Sequence, residues 1–265
     1  MNRTYPSVMT LTSPLAHTER SVGIDAKFRR LTMHLDGAMR KVPVLSGNAI
    51  RGLLRRASMA TVLERCGVAR GSLSPTWVYL LSAGGTLGAG ETRKAFDPAA
   101  VRALRELLVP LAAFGGSVQG GILPGELEVD MAVPITIETQ RLVGADDTTM
   151  RLGELLEEIP YARKDDLVDR DAGAQGAQMR YSVECLRPGV RLAHGLSFRT
   201  ADVLVRGCVW DAVARVAEQR LGGKGATGHG AFRWTWTPDV DQVAAYHAHV
   251  DTHAEALRER LSRPL

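Results

Sequence analysis

The chain has 265 residues, of which 45% are hydrophobic, so it can bury a full core and does not belong to the disordered class. No stretch approaches the roughly 20 consecutive apolar residues of a membrane helix, and the N-terminus lacks the apolar core of a signal peptide. We therefore expect a cytoplasmic protein with no membrane partner. Cys66, Cys185 and Cys208 lie far apart among apolar residues, which predicts buried, reduced thiols rather than a disulfide framework or a zinc site. No metal and no cofactor are expected.

The net charge of +4 is modest, but the charge is unevenly placed. Five of the 33 basic residues are lysine and the rest are arginine, whose planar guanidinium suits phosphate and base contacts. Residues 17–70 carry eleven basic and four acidic side chains, whereas residues 126–171 carry thirteen acidic and five basic ones. The basic segment predicts a face that binds a polyanion, and the acidic segment could meet the basic part of a neighbouring copy. Solvated faces without a partner remain the alternative.

The first half of the chain predicts two helices and several strands. Residues 42–45 are short and apolar and predict an extended segment, which feeds a helix over Asn48–Cys66 with apolar residues at three- and four-residue spacing. Ser46-Gly47-Asn48 supplies its N-cap and Gly67 its C-cap. A second helix starts at Asp97-Pro98 and runs to Pro110, and residues 127–137 predict one or two strands.

The second half repeats the pattern of strand, helix and strand. Residues 179–185 and 190–198 alternate between apolar and polar, and the turn Arg187-Pro188-Gly189 between them predicts a hairpin. A third helix is predicted from about Asp202 to Leu221, followed by a strand over residues 232–236. The order matches the split βαβ pattern, so we predict an α+β, ferredoxin-like domain. Residues 138–178 are polar and acidic and predict a long insertion.

The segment Val42–Arg56 has the chemistry of an anion site. Exposed amides at a helix N-terminus, with the Ser46 and Asn48 side chains, can hold a phosphate, and Arg51 and Arg55 share one helix face. The alternative is that Ser46 only caps the helix and the arginines are solvated.

Glycine dominates a second segment, Leu221–Gly230, which also contains Lys224 and His229. Five glycines allow consecutive amides to point into one concavity. The segment does not match GxxxxGK[ST] and follows a helix, which disfavours a nucleotide-binding phosphate loop. A turn that serves geometry alone remains the alternative.

Together these two segments resemble the RAMP superfamily of CRISPR-associated proteins, and specifically its backbone subunits. In that family a segment of the form [IV]P-x-[LI]-x-G-[NS]-[AS]-[IL]-[RK]-G opens the first helix, which here is Val42–Gly52. A glycine-rich loop after the second palm helix is the other signature, here residues 222–230. SPLAHTERSVG at residues 13–23, ahead of FRR, and CLRPGVRLAHGLSF at residues 185–198 are most similar to the type IV backbone subunit. Residues 77–96 and 138–178 carry no matching motif.

The resemblance implies a single RAMP-type domain over residues 1–265, with a ferredoxin-like (RRM-like) palm, a finger-type insertion at 68–96 and a thumb-type insertion at 138–178. It implies a non-catalytic subunit that oligomerises helically along a CRISPR guide RNA beside other effector subunits and presents the guide to a complementary target nucleic acid. An aromatic content of only 5% favours contact with the RNA backbone over base stacking. The predicted RNA-binding residues are His17, Arg20, Ser46, Gly47, Asn48, Arg51, Arg55, Gly223, Lys224, Gly225, Thr227 and His229. Helix periodicity turns the apolar residues of the first helix toward the core, so Arg51 and Arg55 are expected to point away from it. In a ferredoxin-like arrangement both palm helices pack on one face of the sheet, so the loop after the second is expected to lie near the start of the first, where Lys224, Arg51 and the cap amides could line one phosphate track.

Two catalytic alternatives stay open. Related type III backbone subunits carry a catalytic aspartate shortly before the helix-opening motif, and Asp36 lies in about that place. An endoribonuclease of the same superfamily, cleaving target or precursor RNA, would need this carboxylate to act with a metal, whereas an aspartate beside a glycine is typical of a turn. A small-molecule enzyme whose glycine loop binds phosphate is the other alternative. His17 could act as a general base, but without a second histidine nearby it favours RNA contact or a local hydrogen bond, and His194 is predicted to be a satisfied core residue.

Overall fold

The computed structural model describes residues 3–22, 24–85, 97–118, 121–145, 148–163, 179–217 and 219–264. Short 3₁₀ turns lie at Arg70–Ser72, Leu152–Glu154 and Gly225–Thr227. The strands are β1 (Arg3–Leu11), β2 (Leu15–Ala16), β3 (Thr18–Val22), β4 (Asp25–Phe28), β5 (Arg30–Leu35), β6 (Ala38–Pro43), β7 (Gly116–Val118), β8 (Gly121–Leu123), β9 (Leu127–Val129), β10 (Val133–Pro134), β11 (Leu156–Arg163), β12 (Met179–Leu186), β13 (Arg191–Phe198) and β14 (Phe232–Trp234). The helices are α1 (Gly47–Cys66), α2 (Pro75–Ala83), α3 (Pro98–Leu107), α4 (Val109–Phe114), α5 (Gln140–Val143), α6 (Val203–Val216), α7 (Val240–Thr252) and α8 (Ala254–Ser262).

The first sheet has the predicted ferredoxin-like topology. Its order is β10-β13-β1-β14, and β9 also pairs with β13. With β9 and β10 together as the second palm strand, the four palm strands lie in the order fourth, first, third, second. All pairings are antiparallel, and each βαβ unit encloses one strand of the other unit. The α+β, RRM-like class is therefore confirmed.

The two palm helices, α1 and α6, contact each other and join the first sheet in one hydrophobic core. The Ser46 side chain accepts a hydrogen bond from the amide of Ala49, and Gly67 ends α1 in the left-handed conformation at φ +65°. Both caps were predicted, and α1 begins one residue before the predicted start. Because alternate residues of β13 are buried, its apolar phase faces this core.

The prediction that residues 179–198 form a hairpin is wrong. β13 pairs along its whole length with β1, whereas β12 pairs along its whole length with β11 in a second sheet of order β11-β12-β4-β3, to which β2 is added. Gly189, at φ +86°, turns the chain from one sheet to the other, and its amide bonds to Leu11. A turn motif predicts a reversal of direction but does not fix which strands pair.

Two predicted helices are shorter than expected. The second breaks at Leu108 into α3 and α4, because Pro110 lacks an N–H and its ring would collide with the carbonyl four residues earlier in a continuous helix. The third ends at Val216 rather than near Leu221, whose amide instead bonds to the carbonyl of Gly230 and whose side chain is buried.

The two regions predicted as insertions contain ordered elements. In 68–96, α2 packs against α1 and contains the buried Trp77, whose ring lies 4.9 Å from the guanidinium of Arg260 in α8, while residues 86–96 lie outside the described part. In 138–178, α5 and β11 are described, and residues 164–178 are not. The assignment of these regions as finger and thumb stays a prediction.

Within the described ranges no helix has the length and apolarity to cross a membrane, and all three cysteines are buried as predicted.

His194, on β13, is buried as predicted but is not satisfied. Neither ring nitrogen has a hydrogen-bond partner among the described residues, and the ring packs edge-on against Trp236 at a centroid distance of 4.4 Å. Burial lowers the pKa of this imidazole to about 4. The folded protein therefore holds this imidazole in its neutral form.

Candidate nucleic-acid interface

Strand β2 brings the two predicted RNA-binding segments together. The amide of Gly223 donates to the carbonyl of Ala16 at 2.9 Å, and on the next residue the Nε2 atom of His17 accepts the amide of Ser46 at 3.4 Å. The dipeptide Ala16-His17 therefore contacts the glycine-rich loop through Ala16 and the N-terminus of α1 through His17. This confirms the predicted proximity of the loop to the start of the first helix, and it gives His17 a local hydrogen bond.

The protonation state of His17 follows from these contacts. Because Nε2 accepts a hydrogen bond, the ring is neutral and carries its proton on Nδ1. Burial and the neighbouring Arg29 guanidinium both lower the pKa of His17. The Nε–H of Arg29 is buried and has no acceptor within the described part of the chain. A cation and the free amides at the start of α1 therefore adjoin the same histidine.

Backbone geometry explains the glycines around this junction. A Cβ at Gly47 would lie 2.2 Å from the carbonyl oxygen of Val129, so glycine lets the first turn of α1 approach β9. A Cβ at Gly222 would lie 2.2 Å from the carbonyl oxygen of Ala16. These residues hold the interface together through backbone contacts, while Asn48 stays exposed on the first turn of α1.

Lys224 is held by two tyrosines of the second sheet. Tyr161 of β11 and Tyr181 of β12 lie directly opposite each other and stack with ring centroids 5.3 Å apart. The ammonium of Lys224 lies 4.0 Å and 4.7 Å from the two ring centroids and donates to the Tyr181 hydroxyl at 3.0 Å. Lys224 adopts the left-handed conformation at φ +60°, which is unfavourable for a side chain with a Cβ. Its position is therefore fixed from both the backbone and the side chain.

The rest of the loop is tied to the same tyrosines. His229 is 7% exposed, and its Nε2 lies 2.7 Å from the Tyr161 hydroxyl. The Thr227 hydroxyl donates to the carbonyl of Lys224 at 3.0 Å, closing the short turn that contains Gly225. His229 and Thr227 thus shape the loop, while Lys224 carries its charge.

The charge on Lys224 is not neutralised by the described part of the protein. No described carboxylate lies within 4 Å of its ammonium, in contrast to Lys27, which lies 3.3 Å from Glu158. Aromatic faces and a phenol oxygen stabilise an ammonium without cancelling its charge. The loop therefore presents a fixed cation that suits an anion.

The arginines of α1 do not point where helix periodicity predicts. Arg55 is 9% exposed and donates to the carbonyl oxygens of Phe114 and Gly115 at 2.6 Å and 2.8 Å, so the prediction that it faces away from the protein is wrong. Arg51 is half-buried and donates to the same Phe114 oxygen at 2.7 Å. Both satisfy carbonyls left free at the end of α4. Arg51 and Lys224 therefore contact different elements of the fold, and the phosphate track expected to join them stays a prediction.

The remaining predicted residues lie outside this junction. Asp36 occupies the tip of the β5–β6 hairpin at φ +47°, followed by Gly37 at φ +81°, and its side chain is 64% exposed and 3.8 Å from Arg141. These are the backbone angles of a tight hairpin turn. No group of three His, Cys, Asp or Glu side chains in the described ranges could hold a metal ion. Arg20 lies on β3, and its side chain is outside the described part.

Sequence reasoning missed Tyr161, Tyr181 and Arg29. The alternation over residues 179–185 places Tyr181 on the apolar face of its strand, but β11 lies in a segment without a motif, so the pairing partner could not be identified. Arg29 follows the buried Phe28 and gives no periodic signal of its own.

Comparisons with known proteins identify the fold. No family model matches the sequence, and no curated protein matches it. Among 189 matching chains of solved structures, one from a structure titled "Type IV-B CRISPR Complex" superposes with a TM-score of 0.63 at 22% sequence identity. The match covers 89% of this chain and 90% of that chain. The two chains therefore share a fold over nearly their whole lengths.

Proposed function

We propose that this protein is a non-catalytic, RNA-binding backbone subunit of a type IV CRISPR complex. Copies of it would assemble helically along a guide RNA in the cytoplasm, beside other effector subunits, and present the guide to a complementary target nucleic acid. The fold shared with a chain of a type IV-B complex supports membership of such an assembly. The motifs that open α1 and form the glycine loop support the backbone role.

One observation supports RNA binding above all others, namely the junction of the glycine loop with the start of α1. It combines the free amides of a 20-residue helix, the exposed Asn48 and the uncompensated cation of Lys224. None of these groups reads a base edge, so the recognition expected is of the sugar-phosphate backbone and independent of sequence. This is the recognition that a scaffold for guides of any sequence requires.

The first test is the composition and size of the purified protein. We expect it to retain cellular RNA, seen as a raised ratio of absorbance at 260 nm to that at 280 nm, and to elute from gel filtration as a large assembly. Raising the salt concentration should release the RNA through counterion uptake. A nucleic-acid-free monomer with no affinity for single-stranded RNA at low salt would contradict the proposal.

A pair of lysine variants then tests the site. Lys224→Gln should weaken binding of every RNA sequence by about 1 to 3 kcal/mol and reduce the slope of log affinity against log salt by about 0.7. Lys27→Gln is the matched control, because it removes the same charge from a lysine that Glu158 already neutralises. Equal effects of the two variants would show that only net charge matters. An unchanged affinity of Lys224→Gln would place the RNA elsewhere.

A further inference from the structure

A cleft on the side of α1 is not part of the junction between the glycine-rich loop and the start of α1. It lies between α1, the end of α4 and strands β7 to β9, with a volume of about 500 Å³. Its charged lining consists of Arg51, Arg199 and Glu128, and part of the remaining lining is glycine backbone at Gly84, Gly116 and Gly125. Because glycine has no side chain, a ligand can approach the main chain closely at these three positions.

Positive charge exceeds negative charge around this cleft. Arg199 donates to the carbonyl of Gly125 at 2.5 Å, and its Nε lies 3.7 Å from Glu128. Arg55 lies directly behind Arg51, and both bond the Phe114 carbonyl. Three guanidinium groups thus lie in or beside the cleft, whereas Glu128 is the single carboxylate among the described lining residues.

The arginines repel one another. Burial lowers the pKa of Arg51, and the nearby Arg199 lowers it further, while Glu128 opposes this. Burial and the charge of Arg51 lower the pKa of Arg55 to about 10. Because carbonyl oxygens and one carboxylate offset only part of this repulsion, an anion in the cleft would relieve the rest. A guanidinium has five N–H donors, and Arg51 uses one of its own on a described partner.

We propose that this cleft is a second anion site, in which Arg51 and Arg199 bind a phosphodiester of the same nucleic-acid strand that passes the start of α1. The proposal rests on the proposed function and adds a distinct contact to it. Asn48, Arg51 and Arg55 are spaced along one stripe of α1, and Asn48 precedes Arg51 by one turn, or roughly 5 Å along the axis. A strand held at the cap therefore meets the cleft next. Paired guanidinium groups suit the oxygens of a phosphodiester.

Three variants test the cleft by binding of a short single-stranded RNA. Arg199→Gln should weaken binding about 5- to 30-fold. Glu128→Gln removes the opposing carboxylate and should strengthen binding roughly 2- to 5-fold. Arg187→Gln is the matched control, since Arg187 is 52% exposed and 3.9 Å from Glu157, while Arg199 is 43% exposed and 3.7 Å from Glu128. This control should change affinity by less than about twofold.

The outcomes separate the cleft from the proposed function. If Arg199→Gln matches Arg187→Gln and Glu128→Gln binds as the parent does, the proposal is overturned. If Arg199→Gln fails to fold, the gain in Glu128→Gln decides alone. If Arg199→Gln alters self-association of RNA-free protein but not RNA binding, the occupant is a carboxylate surface of a second copy and the proposal fails.

If the parent protein binds no RNA, the proposed function fails, and inorganic tripolyphosphate then tests the cleft. A rise in melting temperature in the parent that is absent in Arg199→Gln supports the anion site. No rise in the parent overturns it.

Discussion

Replacing His194 with phenylalanine should make the fold markedly less sensitive to acid. His194 is 6% exposed, packs against Trp236 and has no hydrogen-bond partner for either nitrogen among the described residues. Phenylalanine keeps an aromatic ring of similar size and removes two buried polar atoms. We therefore expect His194→Phe to fold and to be at least as stable as the parent at neutral pH.

The size of the effect follows from the two pKa values. Burial lowers the pKa of His194 in the folded protein to about 4, from an ordinary value of 6.5. Between these values the unfolded chain binds the proton more tightly, so stability falls as the pH drops below 6.5 and the loss is complete below pH 4. At pH 5 the histidine should cost about 2 kcal/mol relative to pH 7.5.

Urea unfolding of the parent and the variant at pH 7.5 and pH 5 measures this difference. His17 and His249 also have lowered pKa values, but they are present in both proteins and cancel in the comparison. His34→Phe is the control, because it makes the same replacement at an exposed position of β5. If His194→Phe lost as much stability between the two pH values as the parent, the buried neutral histidine would not be the cause.

Two further predictions concern the turn at Asp36 and the end of the glycine loop. Asp36→Ala should leave both RNA binding and the integrity of a complementary RNA unchanged, with or without magnesium; metal-dependent cutting that this variant abolishes would establish the ribonuclease alternative. A Cβ at Gly230, at φ +80°, would lie 1.9 Å from the Leu221 carbonyl oxygen, whereas Gly189, at φ +86°, has nothing within 4 Å. In thermal unfolding, Gly189→Ala should cost about 1 kcal/mol and Gly230→Ala at least about 2 kcal/mol more; equal costs would show that the contact relaxes.

Local signals predicted the palm well. The Ser46 cap, the Gly67 cap and the spacing of apolar residues between them determine α1 to within one residue, because each depends on neighbours within a few positions. The order of strands and helices then predicted the ferredoxin-like sheet, since short connections and the split βαβ pattern leave few arrangements.

Long-range pairing could not be read from the same signals. The alternation of β12 and β13 and the turn between them are compatible with a hairpin, yet each strand pairs over eight residues with a more distant partner. For β12 this partner is β11, which lies in a segment without a recognised motif. The site residues Tyr161 and Tyr181 were missed for the same reason, because their role depends on that pairing.

Helix periodicity also misplaced Arg51 and Arg55. It identifies which residues face the sheet, but it does not predict what covers the remaining faces. Here the end of α4 covers one of them, and its unpaired carbonyls at Phe114 and Gly115 recruit both guanidinium groups. The break before α4 arises from Pro110, which sequence analysis placed at the end of a longer helix.

The fold also changes the interpretation of the uneven charge along the sequence, because acidic residues form ion pairs within the chain. The acidic segment was considered as a surface for a neighbouring copy, but Glu126, Glu128 and Glu158 each lie within 4 Å of a basic residue of the same chain. Of the three basic partners Lys27 belongs to the basic segment, so its charge is neutralised within the molecule, and exposed pairs of this kind contribute little to stability. Lys224, which has no described carboxylate within 4 Å of its ammonium, is held instead in the glycine-rich loop beside the two tyrosines. Contact geometry, more than net charge, therefore determines where this surface can hold an anion.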